Sequence, residues 1–109
     1  MGAGYIGTVS ADLHLPVSGS LKDKRRELRR LLARIRDHHR CAIAEVDYHD
    51  LWQRTQITVA VVGPDPGEIG ARLEAVSRSF HTDPAFVVID ELRDLRPVEG
   101  SPGYLEGHR

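Results

Sequence analysis

Long apolar runs are missing from this chain. The most hydrophobic stretch is the few residues around Val59–Val62, far short of the roughly 20 that cross a bilayer as a helix, so no membrane partner is expected. No export leader is expected either. Met1-Gly2-Ala3-Gly4 offers no basic segment followed by an apolar one, which argues against export and makes the cytoplasm the expected location. Cysteine is down to one residue. Cys41 has no partner for an intrachain disulfide and joins no cluster at metal-ligand spacing, a usage that fits a reducing compartment.

What is present suits a small folded domain. The 109 residues are enough for one core and too few for two. Hydrophobic residues make up 40% and charged residues 28%, the balance of a folded rather than a disordered chain. The net charge of −1 conceals a separation of signs. Residues 22–40 carry nine of the fifteen Lys and Arg residues against only Asp23, Glu27 and Asp37. That segment is strongly positive, the remainder is negative, and one face becomes a candidate for an anionic partner.

From Tyr5 to Leu15 the odd positions are Tyr, Gly, Val, Ala, Leu and Leu, and the even ones Ile, Thr, Ser, Asp and His. This period of two marks a half-buried strand, which Pro16 stops. Ser20, with Asp23 three residues on, caps a helix over Leu21–His39. Leu21, Leu28, Leu31, Leu32 and Ile35 form its core-facing stripe. Cys41–Tyr48 reads as a second strand with Ala42, Ala44 and Val46 directed inward and Glu45 and Asp47 directed to water. The turn His49–Gln53 carries the only tryptophan. Ile57, Val59 and Val61 then alternate with Gln56, Thr58 and Ala60 in a third strand, broken by Gly63-Pro64-Asp65-Pro66. Asp65 and Glu68 bracket the start of a second helix whose inner face is Ile69, Leu73, Val76 and Phe80. Ala85–Leu92 reads as a last strand, with no inner face assignable from its pattern.

The order βαββαβ, with short connections and right-handed crossovers, is satisfied by an α+β, ferredoxin-like fold: a four-stranded antiparallel sheet with two helices on one face. Residues 1–96 form that single domain, and 97–109 are expected to be a flexible C-terminal tail.

Three blocks stand out along this frame: Leu13-His14-Leu15-Pro16, Ser20-Leu21-Lys22-Asp23-Lys24-Arg25, and Ala44-Glu45-Val46-Asp47 followed by Asp50-Leu51-Trp52-Gln53. In this order and spacing the chain resembles the YlxP-like bacterial family of unknown function, from residue 5 to residue 95 but not over the tail. The resemblance implies a ferredoxin-like fold and a gene neighbourhood shared with ribosome-maturation and translation-initiation factors. It implies no enzymatic activity.

Lys22, Arg26, Arg29, Ala33, Arg36 and Arg40 follow a 4-3-4-3-4 spacing, which sets five cations along one stripe of the first helix. Lys24, Arg25, Arg30 and Arg34 widen it. Such a row matches the regular negative charge of a nucleic-acid backbone, and arginine forks bind phosphate with two contacts. It also fits a face that is only solvated. The expected nucleic-acid contacts are Lys22, Lys24, Arg25, Arg26, Arg29, Arg30, Arg36 and Arg40. The outward sides of the first and third strands show no aromatics for base stacking, and Asp12, Glu45 and Asp47 would repel phosphate there. Contact through backbone or shape, by the helix, is therefore expected.

Asp47, His49 and Asp50 are the densest group of potential ligands or bases. Neighbours in one turn seldom converge on an ion, so no metal, cofactor or catalytic site is assigned to them. Trp52 either covers one end of the core or, with Asp50 and Gln53, anchors a protein partner. His38 and His39 read as partners of the helix dipole, and Cys41 as a small buried hydrophobe. Acylphosphatases share the strand order but position water with an asparagine, and this chain contains none.

These features describe a non-catalytic accessory factor of translation or ribosome maturation, holding ribosomal RNA or ribosomal particles through its first helix. The alternative is a self-associating protein-interaction module that uses the open sheet face or an edge, with Ile6, Ile43, Ala60 and Val62 supplying outer apolar area.

Overall fold

The computed structural model describes residues 2–99. They form β1 (Tyr5–His14), α1 (Leu21–His39), β2 (Ala42–Asp47), β3 (Arg54–Gly63), α2 (Pro66–Thr82) and β4 (Val87–Pro97). The four strands make one antiparallel sheet in the order β2-β3-β1-β4, which is the ferredoxin-like arrangement. β1 and β3 occupy its centre because each alternates cleanly. Val9, Ala11 and Leu13 of β1 and Ile57, Val59 and Val61 of β3 are buried against Leu28, Leu31 and Ile35 of α1 and Ile69, Leu73, Val76 and Phe80 of α2. This single cluster is the core.

Both helices start where their caps predict. The Ser20 hydroxyl accepts a hydrogen bond from Asp23 N at 3.0 Å, while Gly19 N donates to the Asp23 carboxylate at 3.1 Å. Asp65 accepts from Gly67 N at 3.2 Å, with Pro66 as the first helical residue. Gly7 explains how closely α2 lies on β1. A Cβ at that position would stand 2.5 Å from Ile69 Cγ2 and 2.8 Å from Leu73 Cδ1, so only a residue without one fits beneath the helix.

Two strands depart from expectation. In β2 the inward side chains are Ile43 and Glu45, while Ala42, Ala44 and Val46 are exposed. A register shift between Glu45 and Asp47 then returns Asp47 to the outer face opposite Gln56. Glu45 therefore does not guard the outer face, and Ile43 packs against the core rather than supplying outer apolar area. In β4 a shift opposite Asp12/Leu13 pairs Asp12 with Asp90 and Leu13 with Val88, leaving Ile89 as an extra residue. The strand continues through Pro97, past the boundary expected at residue 96, and Val98 N donates to Gly4 O at 2.8 Å. Residues 100–109 of the expected tail lie outside the described residues. Among the described residues no helix is long and apolar enough to cross a membrane.

Candidate functional site

Angle around α1 decides what each of its cations does. Lys24 stands at 4-3-4 spacing with Leu28, Leu31 and Ile35, so it lies on the core stripe and is 1% exposed. Its ammonium meets Glu45 Oε2 at 2.9 Å and donates to the carbonyls of Tyr48 and His49 at 2.5 and 3.4 Å. Three donors thus find three acceptors. Glu45 also accepts from the Thr55 hydroxyl at 2.6 Å, which explains why a carboxylate turns inward on β2. Lys24 was expected among the nucleic-acid contacts. Burial withdraws it.

The same contact shapes the turn between β2 and β3. Tyr48 adopts a left-handed φ of 64° and its N–H donates to Asp47 Oδ1 at 2.7 Å, while Leu51 N donates to Tyr48 O at 3.1 Å. Gln53 Nε2 donates to Ser18 O at 3.0 Å, and Leu15 N donates to Gln53 O at 2.9 Å. All three sequence blocks singled out above therefore meet at one end of the domain.

On the flank facing α2, Arg30 donates with both Nη atoms to Asp83, at 2.9 and 2.8 Å, and also reaches Glu27 at 3.1 Å. Arg34 Nη2 lies 3.4 Å from the same Asp83 carboxylate, whose side chain is wholly buried, and Ala85 N donates to it at 3.0 Å. Burial pushes the Asp83 carboxyl up, but its bonds from Arg30 and Ala85 outweigh this and hold it below the usual carboxylate value. The bond to Asp83, and then that to Glu27, raise the Arg30 pKa despite partial burial. Arg30, expected to widen the stripe and to contact nucleic acid, is held in a bidentate ion pair with Asp83.

Outward, Lys22, Arg25, Arg26, Arg29, Arg36 and Arg40 are all exposed. Arg26 comes within 3.5 Å of Asp23. Among the described residues no carboxylate stands within 4.0 Å of the other five. The last turn of α1 is closed from α2: Arg72 Nη2 donates to the carbonyls of His39 and Arg40 at 2.7 and 3.0 Å. His39 Nε2 lies 3.1 Å from the Ser79 hydroxyl, and its pKa is lowered, chiefly by burial and further by its basic neighbours, Arg72 and Arg34 among them. Arg72, absent from the expected partners of this helix end, supplies a cation to its last carbonyls from α2.

Behind the helices, the outer sheet surface ends in a second group. Arg54 makes two 2.8 Å bonds to Asp12 and stands 5.0 Å over the Tyr48 ring. Trp52 does not cover the core: it is 50% exposed and lines a hollow of about 290 Å³ with His14, Leu51, Gln53 and Arg54. Asp50 is exposed on the same turn. His49 contributes a carbonyl to Lys24, and Asp47 is engaged by Tyr48 N. Among the described residues no three His, Cys, Asp or Glu side chains are grouped to hold one ion. Cys41 packs against the core with its thiol 3.8 Å from Ile35 O, and burial pushes its pKa up.

Comparison with known proteins adds kinship. The family described as a protein of unknown function, DUF503, matches residues 6–93. An uncharacterized protein named YlxP from Bacillus subtilis (strain 168) is 34% identical over 71 residues, covering 65% of this chain and 77% of that relative.

Proposed function

This chain belongs to the DUF503 family, whose YlxP-like members it resembles, and we propose that it is a non-catalytic cytoplasmic accessory factor that binds RNA phosphate in translation or ribosome maturation. One observation carries the reading. Lys22, Arg25, Arg26, Arg29, Arg36 and Arg40 are exposed on the outward ridge of α1, only Arg26 among them beside a carboxylate, while Lys24 and Arg30 on the other flanks of the same helix are bound to Glu45 and Asp83. A ridge of this kind supplies the sequence-independent, salt-sensitive part of nucleic-acid binding, because each cation displaces a counterion from a phosphate.

The test is cosedimentation of the protein with ribosomal particles, and with free ribosomal RNA, across a salt series. Association should weaken steeply as salt rises and be lost in the pair Arg26→Glu and Arg29→Glu. No association at low salt would overturn the proposal.

A second reading is favoured by one feature of β4. Half of the ten large apolar side chains exposed among the described residues, Val87, Ile89, Leu92, Leu95 and Val98, lie on or just beyond this strand, whose outer backbone edge pairs with no other strand among the described residues. Such an edge pairs readily with a second copy. Sedimentation at several concentrations should then show a dimer that Leu92→Lys weakens, whereas a strictly monomeric protein would remove this reading.

A further inference from the structure

We propose that Trp52 stacks an unpaired nucleobase, so that RNA held on α1 is single-stranded where it passes this end of the domain; the inference rests on the RNA reading above. The indole is half-exposed, but the turn that carries it is tied down. Lys24 binds the carbonyls of Tyr48 and His49, and Gln53 is bonded through both side chain and backbone to the connection between β1 and α1. A flat aromatic surface presented from an ordered frame loses little entropy on binding.

Its neighbours in the hollow suit a base. His14 enters from the end of β1 and Arg54 from the start of β3. The Arg54 guanidinium is oriented by its two bonds to Asp12 and by the Tyr48 ring beneath it. Aromatic rings and guanidinium planes are the surfaces on which single-stranded bases stack. A protein anchor is the competing occupant, since tryptophan and arginine are both common in interface hot spots, but those form in well-packed, fully desolvated pockets. Here the hollow is open to solvent, with Leu51 as its aliphatic wall beside an imidazole and a fixed cation.

Position supplies the remaining argument. The turn is bonded to the first turn of α1, where Lys22, Arg25 and Arg26 begin the outward ridge. The ridge lies on the far side of α1 from the sheet, and His14 and Arg54 lie on the outer sheet face, so a strand that touches both must bend around the end of the domain. A flexible single strand makes that bend; a stiff duplex stays on the helix.

The full chain contains one tryptophan, which is its own reporter. Single- and double-stranded oligoribonucleotides with equal numbers of phosphates would be titrated while Trp fluorescence and, separately, RNA anisotropy are followed. Single strands should quench the indole and duplexes should not. Trp52→Ala should weaken single-strand binding about ten-fold, Trp52→Phe should retain most of it, and duplex affinity should be unchanged in both variants. Binding that depends on Arg26 and Arg29 yet leaves the indole unquenched and ignores Trp52→Ala would overturn the stacking proposal alone, freeing Trp52 for a protein partner. No binding of either RNA would overturn both.

Discussion

Two flanks of one helix treat positive charge in opposite ways. Toward the sheet and α2, Lys24 and Arg30 are held by Glu45 and Asp83, carboxylates delivered from β2 and from the end of α2. On the outward ridge Lys22, Arg25, Arg29, Arg36 and Arg40 face water. A charge count along a helix therefore says little until each charge is placed by angle. A buried ammonium must be paired, because leaving it bare costs several kcal/mol, whereas an exposed guanidinium needs no partner and stays available to a ligand.

If the flanks differ in this way, effects on stability should decline from the inside outward while effects on RNA binding grow. Lys24→Met should do the most damage, about 3 kcal/mol by urea unfolding, because Glu45 is left facing the core without its cation. Replacing both, as Lys24→Met with Glu45→Leu, should recover most of that loss; a single-variant loss under about 1 kcal/mol would break the distinction between the flanks. Asp83→Ala comes next, at about 2 kcal/mol, since it removes bonds to Arg30 and Ala85 together.

Asp83 also sharpens the contrast through pH. Its folded pKa is held below its ordinary value, so the unfolded chain takes up the proton first as acid is added. The stabilisation is present above about pH 4 and is lost as pH falls through the folded pKa, an acid limb that Asp83→Ala should flatten in thermal unfolding. His39 acts in a higher window with smaller effect. Its folded pKa is lowered, so the unfolded state protonates first as pH falls below about 6.5, and stability declines from there; His39→Gln should remove that dependence. Smallest of all is the outward pair. Arg26→Glu with Arg29→Glu should change unfolding free energy by about 0.5 kcal/mol or less while abolishing RNA association, which separates the ridge from the inner flank in one protein.

The strands and helices with strong periodicity are legible in the sequence, because burial enforces their period: β1, β3, α1 and α2 bury most of the residues that alternation and helical spacing mark, with Tyr5, Leu21 and Leu32 only half-buried. The alternation of β2 misleads about its facing. Choosing Ala42, Ala44 and Val46 as the inner set avoided burying Glu45, but a carboxylate is buried here because a lysine arrives to meet it. The signal was available in Lys24, which shares its spacing with Leu28, Leu31 and Ile35. A cation on the apolar stripe calls for an inward acid. β4 resisted assignment for another reason: the extra residue Ile89 changes the phase of alternation within the strand. Of the eight expected phosphate contacts, Lys24 and Arg30 proved to be held internally, and nothing local in the sequence announces Asp83 as the partner of Arg30 from 53 residues away.

β1 is the first strand made, yet it sits in the middle of the sheet, with β3 on one side and β4 on the other. Tyr5 pairs with Pro97, so that second flank waits for the last strand of the described residues. During synthesis on a ribosome the strand at the heart of the core keeps one edge open until Val87–Pro97 has emerged. Closing the sheet is then a late, long-range event, and the interval before it is when mispairing with other nascent chains is most costly.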